Sequence, residues 1–480
     1  MLNFIPPMLK NHLTSVLREN LPYDPTPAQE RLIDVLAEFI ASTGERECLL
    51  VKGFAGTGKT TLVYALVRTL EQFRIRSVLM APTGRAAKVL SSYAGKKAYT
   101  IHKEIYRQKG AREGLGTFVL DRNLFTDTFF VVDEASMISN QSAEVLLFGS
   151  GRLLDDMIEY VYSGRGCRLI LMGDSAQLPP VGLDISPALD IRALEGYGLR
   201  VREVFLDDII RQALGSGILS NATDIRKMID FSVSQIPVIR TRGLPDVEHI
   251  SGGDLIEALD TAYGRDGVSE CIVICRSNRQ ANRYNQGIRN QIFYREGEIS
   301  MGDILMVVKN NYFWLQENDE VDFIANGDMM EVARIHEYRE LYGTRFADLE
   351  LRFLDYREME LRAWVMLETL TADSPSLPSP RARELYQAIL EDYPHARSQR
   401  KKFLAVRSDP FFNALQVKFG YAVTCHKAQG GQWKHVFVDQ GYMTDDRVNT
   451  EYLRWLYTAF TRASEKLYLV NFPAVFMETG

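Results

Sequence analysis

Several things are missing from this sequence, and each absence narrows the reading. No apolar run approaches the roughly 20 residues that cross a bilayer, so no membrane span is expected. The first residues, Met-Leu-Asn-Phe-Ile-Pro-Pro, lack the basic and apolar regions of an export signal, which points to a cytoplasmic protein. There are five cysteines, Cys48, Cys167, Cys271, Cys275 and Cys425, an odd number with no close pair at zinc-knuckle spacing. Cys271 and Cys275 flank Ile-Val-Ile in what reads as a buried strand, so core thiols in a reducing compartment are expected. Positive charge is not in surplus either. The 56 basic and 62 acidic residues leave a net charge of −6. That excludes a protein held to nucleic acid by bulk charge, though not a locally basic groove. No internal repeat of 20–50 residues is visible.

What is present is an ordinary globular mixture over 480 residues, 46% hydrophobic and 25% charged. At roughly 100–200 residues per domain this allows about two to four domains. Short apolar runs alternate with helical stretches. Strands are expected at Cys48–Lys52, Ser77–Ala81, Phe129–Asp133 and Arg168–Gly173, and again at Cys271–Arg276, Tyr421–Cys425, His435–Asp439 and Leu467–Asn471. The runs are continuous and not alternating, so both faces of each sheet should be covered by helices. The expectation is an α/β protein with two parallel units, residues 1–208 and 209–480. Two stretches break the rhythm. Lys103–Arg122, with Gly110, Gly114 and Gly116, suits a β-hairpin excursion. Residues 300–415 read as a small β-rich domain inserted in the second unit, with a Pro/Ser loop at Asp373–Pro380 and a basic cluster at Arg397, Arg400, Lys401 and Lys402. That cluster fits a solvated helix end or a phosphate contact.

The strongest chemical signal is Gly53-Phe-Ala55-Gly56-Thr57-Gly58-Lys59-Thr60-Thr61. It fits G-x-x-x-x-G-K-[ST], with an apolar run leading in and a helical pattern leading out. Glycines let backbone N–H groups close around phosphate oxygens, and the helix N-terminus adds partial positive charge. Lys59 should reach the β- and γ-phosphates and Thr60 should hold Mg²⁺, so ATP with Mg²⁺ is the expected cofactor pair. The run Thr128–Val132 ends in Asp133-Glu134. Asp133 can join the Mg²⁺ shell and Glu134 can polarise the attacking water. A third strand ends in Asp174-Ser-Ala-Gln177, where a neutral amide can address the γ-phosphate or the water.

With these residues in view, the series resembles the superfamily-one helicases, and within them the RecD-like and Dda-like 5′-to-3′ branch. Pro27-Ala-Gln29 looks like that family's adenine-reading glutamine motif. Gly53–Thr61 and Asp133-Glu134-Ala-Ser look like motifs I and II. Ala81-Pro-Thr83-Gly-Arg85-Ala-Ala-Lys88 and Thr100-Ile-His102 look like motifs Ia and Ib. Gly173-Asp-Ser-Ala-Gln177-Leu-Pro-Pro looks like motif III, and Ile210-Arg211-Gln212 like motif IV. Val423-Thr424-Cys-His426-Lys427-Ala-Gln429-Gly430 and Tyr457-Thr-Ala-Phe-Thr461-Arg462-Ala resemble motifs V and VI. Their order along the chain is more specific than any one of them.

The resemblance implies two RecA-like units with an SH3-like barrel in the second and a short β-hairpin pin in the first. It implies Arg211 and Arg462 as cations acting on the γ-phosphate, and Thr83, Arg85, Thr100, His102, Thr424, His426 and Lys427 as DNA contacts. His102 and His426 suit the protein core almost as well. Tyr106, Phe118 and Trp433 are candidates for stacking on bases. The implied substrate is single-stranded DNA and forked duplex, handled by a monomer. An RNA-directed translocase, or an ATP-gated binding subunit that unwinds nothing, stays open at this point.

Overall fold

A strand with no polar face is stable only where both of its faces are covered, and the chain builds two sheets of that kind. The computed structural model describes residues 7–108, 118–141, 149–208, 215–231, 235–315, 324–354, 359–395, 398–444 and 447–478. The chain divides into two compact units. The first comprises Met1–Arg107, Phe118–Gln235 and Asn449–Thr461; the second comprises Gln108–Thr117, Ile236–Val448 and Arg462–Gly480.

In the first unit the strands are β1 (Glu47–Gly53), β2 (Arg76–Ala81), β3 (Ala98–Thr100), β4 (Tyr106–Gln108), β5 (Phe118–Leu120), β6 (Thr128–Val132), β7 (Arg168–Gly173) and β8 (Arg200–Leu206). Six of them form a parallel sheet in the order β3-β2-β6-β7-β1-β8. All five residues of β6 are buried. The helix Lys59–Gln72 covers the sheet with Leu62, Leu66 and Leu70, a stripe at helical spacing. The helix Pro27–Ala41 starts at a capping box, Thr26 with Gln29, with proline in its first turn. Leu32, Leu36 and Phe39 of that helix enter the same core as Leu49 and Val51 of β1.

The excursion at Lys103–Arg122 is a two-stranded sheet of β4 and β5. Its glycines, Gly110, Gly114 and Gly116, lie outside the described residues. At its base Phe118 is buried, Tyr106 is buried, and the Tyr106 hydroxyl donates to Asp156 at 2.7 Å. Phe118 is therefore a foot of the hairpin and not an exposed aromatic.

The second unit contains β9 (Val247–Ile250), β10 (Cys271–Cys275), β11 (Ile304–Val307), β12 (Met329–Leu341), β13 (Thr344–Phe353), β14 (Glu360–Met366), β15 (Leu415–Phe419), β16 (Ala422–Thr424), β17 (Trp433–Asp439) and β18 (Ala463–Val470). Five form a parallel sheet in the order β16-β10-β17-β18-β9. The others, β11 to β15, close into a five-stranded barrel. Its long hairpin turns at Tyr342-Gly343, where both residues have positive φ, the geometry of a two-residue hairpin turn. The insertion is less purely β than its sequence suggests. Two helices, Ser379–Glu391 and Gln399–Arg407, lie between β14 and β15 and bury Leu385, Ile389 and Val406 against Phe346, Met366 and Phe411. The Pro/Ser loop ends where the first of them begins, with Pro380 in the first turn, where a missing N–H removes no helical bond. All five cysteines are buried and unpaired in disulfides, as expected of core thiols. Among the described residues, no helix is long and apolar enough to cross a membrane.

The barrel is joined to the second sheet by a buried ion cluster. Arg289, 2% exposed, forks onto Asp303 through Nε and Nη2, both at 3.0 Å. Arg295 adds a bond to Asp303 at 2.9 Å, and the Tyr421 hydroxyl donates to it at 3.1 Å. The Ser300 amide reaches the other carboxylate oxygen at 2.7 Å. Removing one partner of a buried pair strands the other charge. Asp303→Ala is therefore expected to lower stability by about 3–5 kcal/mol, whereas Arg352→Ala, which breaks solvent-exposed pairs with Glu331 and Glu360, should change it by less than about 1 kcal/mol. Urea titration of both variants checks this; equal losses would mean that burial is not what makes the cluster matter.

Candidate functional site

Because the first sheet is parallel, all its strands end on one edge, and the chemistry gathers there. β7 lies between β1 and β6, with Lys52 opposite Gly173 and Val132 opposite Leu171. The segments following these three neighbours are the glycine-rich loop, Asp174–Leu178 and Asp133-Glu134.

The loop bends at Gly56 and Gly58, with φ of 77° and 80°. Leu219 of the helix Gly217–Asp230 packs on Gly56 so closely that a Cβ there would sit 3.1 Å from it. Phe54 lies under Arg226 of the same helix, 4.1 Å from ring centroid to guanidinium carbon. Lys59 folds back over the loop and donates to the carbonyls of Gly53 and Phe54 at 2.6 and 2.8 Å. Thr57 is buried and its hydroxyl donates to the Phe54 carbonyl at 2.8 Å. Thr60 and Thr61 are half-buried in the first turn of the following helix, and Ala55 sits on the loop before it.

Gln29 is fully buried beside this loop. Its Oε1 accepts from the Thr26 amide at 3.0 Å, and its Nε2 donates to the Thr57 carbonyl at 2.9 Å. In this arrangement its amide caps a helix and braces the loop at once. Asp133 accepts from the Glu134 amide at 2.8 Å. Burial pushes its carboxyl upward, while that amide bond and the Lys59 charge pull it down. Glu134 takes the left-handed backbone conformation, φ 53° and ψ 36°, uncommon for a residue with a side chain. Gly173 lets the turn come close, since a Cβ there would lie 3.0 Å from the Ser136 amide. Gln177 is 6% exposed, and its Oε1 has no hydrogen-bond partner among the described residues. A buried acceptor in that condition is an ordinary sign of a ligand position. The lysine over the loop suits a nucleotide phosphate, the carboxylate lifted by burial suits its divalent cation, and the unpaired amide oxygen suits a bound water.

The remaining expected residues fall elsewhere. Thr83 and Arg85 follow β2; Thr100 ends the adjacent β3, opposite Ala81, and His102 follows it. Both threonines cap helices, accepting from the amides of Ala86 and Lys103. His102 is half-buried against Tyr106, and burial pushes its imidazole down to about 4, so it is uncharged at neutral pH. In the second unit Thr424 ends the edge strand β16, and His426 and Lys427 follow it. His426 is exposed; Lys427 is hydrogen-bonded to Asn326, and burial lowers its ammonium to about 8. Arg462 is 3% exposed and donates to the Gly431 carbonyl at 3.1 Å. Arg211 lies outside the described residues, as does Arg397 of the basic cluster. Of the proposed stacking aromatics, Tyr106, Phe118 and Trp433 are all buried, so their bulk serves the core.

Sequence reasoning passed over two residues of the same helix, Thr450–Phe460, which belongs to the first unit. The Tyr457 hydroxyl accepts from the Ala55 amide at 2.9 Å and donates to Asp174 Oδ2 at 2.7 Å. Thr458 Oγ1 accepts from the Leu178 amide at 2.9 Å. A tyrosine on the apolar face of a helix was the available signal, because a buried hydroxyl needs a partner.

The fold and the loop define a phosphate-loop α/β protein of two parallel-sheet units. Residues 29–227 match the AAA domain family, and residues 419–470 match the UvrD-like helicase C-terminal domain. The chain is 23% identical to the uncharacterized protein R530 of Acanthamoeba polyphaga mimivirus, over 92% of this chain and 98% of that one. It is 24% identical to the ATP-dependent RecD2 DNA helicase of Deinococcus radiodurans, over 92% of this chain and 50% of that one. The ATP-dependent DNA helicase dda of phage T4 is 24% identical over 59% of this chain and 61% of its own. The chain thus spans about half the length of RecD2 and under two thirds of dda. The resemblance carried by the motifs is matched by these comparisons: the chain is similar to the RecD2 and dda helicases.

Two outcomes follow from this geometry. Gln29→Ala removes a capping-box partner and the brace on Thr57, and should lower stability by about 1–2 kcal/mol in chemical denaturation; wild-type stability would show that the brace is idle. Glu104, beside His102, is pushed up to about 7 by burial. Its folded value lies above its unfolded one, so the folded chain holds a proton there that the unfolded chain has released. Stability is lost as pH rises from about 4.5 through about 7. His102 works in the opposite sense, with stability lost as pH falls from about 6.5 toward 4. Glu104→Gln removes only the first effect. Its advantage over the wild type in urea midpoint should grow from pH 5 to pH 8, and a constant difference would contradict the burial of this carboxyl.

Proposed function

We propose that this chain is an ATP-dependent DNA helicase that moves along single-stranded DNA in the 5′-to-3′ direction. The observation that carries the reading is the single sheet edge on which β1, β7 and β6 present the phosphate loop, Gln177 and the Asp133-Glu134 pair. Loop amides and Lys59 hold the phosphates, with Gly53, Ala55, Gly56, Thr57, Gly58 and Thr61 shaping the cradle. Thr60 and Asp133 hold Mg²⁺, which neutralises charge that develops on the phosphates. Glu134 takes the proton of the attacking water. Gln177 addresses that water through Oε1, which accepts, or the γ-phosphate through Nε2, which donates. Arg211 and Arg462 supply guanidinium groups to the transition state; Arg462 must leave its Gly431 bond to do so. Gln29 would read the adenine with the acceptor and donor capacity its bonds to Thr26 and Thr57 leave.

The track residues are Thr83, Arg85, Thr100 and His102 on one unit and Thr424, His426 and Lys427 on the other. Most are hydroxyls and uncharged or weakly charged groups. Such contacts grip a phosphate backbone without a basic chain, consistent with the net charge of −6. Single-stranded DNA and forked duplex are the proposed partners.

Lys59→Ala should abolish turnover. Glu134→Gln should retain nucleotide while losing about 10²–10⁴ in rate. Wild-type ATPase should rise with single-stranded DNA, and a 5′-tailed duplex should be opened in preference to a 3′-tailed one. Near-normal ATPase in Glu134→Gln would sink the engine assignment. DNA-stimulated ATPase with no strand displacement on either tail would favour an ATP-gated clamp, and a preference for RNA tails would favour an RNA translocase.

A further inference from the structure

Two consecutive side chains of the helix Thr450–Phe460 each close a hydrogen bond onto a different strand end of the first sheet. Tyr457 is 1% exposed and lies with its hydroxyl between the phosphate loop and the segment after β7. It accepts from the Ala55 amide at 2.9 Å and donates to Asp174 Oδ2 at 2.7 Å. Both roles of the hydroxyl are therefore used. The other carboxylate oxygen of Asp174 accepts from the Ala176 amide at 2.9 Å, and the Asp174 carbonyl accepts from the Gln177 amide at 3.4 Å. Thr458 Oγ1 takes the Leu178 amide at 2.9 Å and donates back to the Arg454 carbonyl at 2.7 Å. Gln177, with its unpartnered buried Oε1, is thus gripped from the residue after it and, through Asp174, from the turn before it.

We infer that Tyr457 and Thr458 are positioning residues for ATP hydrolysis: they set the distance between the phosphate loop and Gln177, so that Lys59 and Gln177 address the same terminal phosphate. The inference rests on the proposed ATPase reading. Neither side chain need touch the nucleotide. The bonds from Tyr457 run to a loop amide and to the carboxylate that shapes the Gln177 turn, so its hydroxyl is a spacer between two parts of one site. Neither part is held to the other by a sheet hydrogen bond, because both lie beyond the ends of β1 and β7. A rigid buried tyrosine suits such a task, having two side-chain torsions and a hydroxyl that is donor and acceptor at once. Its hydroxyl stays protonated, since burial and the Asp174 charge push its ionisation far upward.

Tyr457→Phe keeps the ring and deletes the hydroxyl. With the full chain, saturating single-stranded DNA and ATP as the varied substrate, kcat should fall about 10- to 100-fold, the scale expected when catalytic groups drift by about 1 Å. KM for ATP should change less than about threefold, because the loop and Lys59 still bind the phosphates. Thr458→Val, similar in shape but without the acceptor for Leu178, should lower kcat in the same manner. If the tyrosine acts through Asp174, Asp174→Asn and Tyr457→Phe should be less than additive in kcat when combined. A wild type with no DNA-stimulated ATPase would overturn the functional reading beneath this inference. A wild type that hydrolyses ATP, with Tyr457→Phe at unchanged kcat, would overturn the inference alone. A loss confined to KM would also overturn it, since the residues would then support binding and not placement. Should Tyr457→Phe fail to fold, Thr458→Val decides, with unchanged kcat refuting the role.

Discussion

Parallel strands that are buried on both faces constrain everything else in this molecule. Six strands in one sheet and five in the other all point one way within their sheet, so their carboxyl ends share an edge. A side chain needed for chemistry has few places to be except the loops at that edge. The central strands β1, β7 and β6 carry the nucleotide candidates, and the outer pair β2 and β3 carries two of the track candidates. The second sheet repeats the scheme, with Thr424 ending its edge strand β16 and His426 and Lys427 following it. Division of labour between phosphate chemistry and strand contact is thus a matter of strand order.

A site assembled from loops at a sheet edge lacks sheet hydrogen bonds of its own, and the protein supplies others. Gln29 ties a helix start to Thr57, Lys59 ties its own loop together, and Tyr457 ties Ala55 to Asp174. The bonds from Gln29 to Thr57 and from Tyr457 to Asp174 are buried and the others partly so, a setting where an unpaired polar group is costly. That same cost makes the unpaired Oε1 of Gln177 and the raised carboxyl of Asp133 informative. A donor such as a bound water would satisfy Gln177 Oε1, and a cation would favour the charged form of Asp133.

The second unit has a different problem, the joining of an antiparallel barrel to a parallel sheet. Chain direction changes between Ile304 and Phe419, and Arg289, Arg295, Asp303 and Tyr421 meet at that junction. The cluster places charge where packing alone would leave two elements free to slide. The helices Ser379–Glu391 and Gln399–Arg407 then cover the long β12–β13 hairpin, whose apolar residues extend past the barrel.

How much of this was legible beforehand differs by element. Continuous apolar runs located β1, β2, β6, β7, β10, β16, β17 and β18 to within a few residues, because a strand buried on both faces must be apolar throughout. They could not locate β8, which carries Arg200, Arg202 and Glu203 at the sheet edge, or the short β3 and β9. The barrel was visible as a β-rich insertion, and the basic cluster marked the start of the helix Gln399–Arg407, but the helix Ser379–Glu391 was hidden behind prolines that read as a loop. By itself the sequence determined the phosphate loop, the paired carboxylates and the order of motifs, since backbone conformation and charge at those positions are local properties. Tertiary structure alone decided which buried groups meet. Tyr457 stands 402 residues from Ala55 and 283 from Asp174, and no local pattern records that a hydroxyl on one helix closes the gap between two strand ends. Burial likewise decided that Phe118, Tyr106 and Trp433 belong to the core and that His102 is neutral. Exposure is a property of the packed chain, which residue type foreshadows only on average.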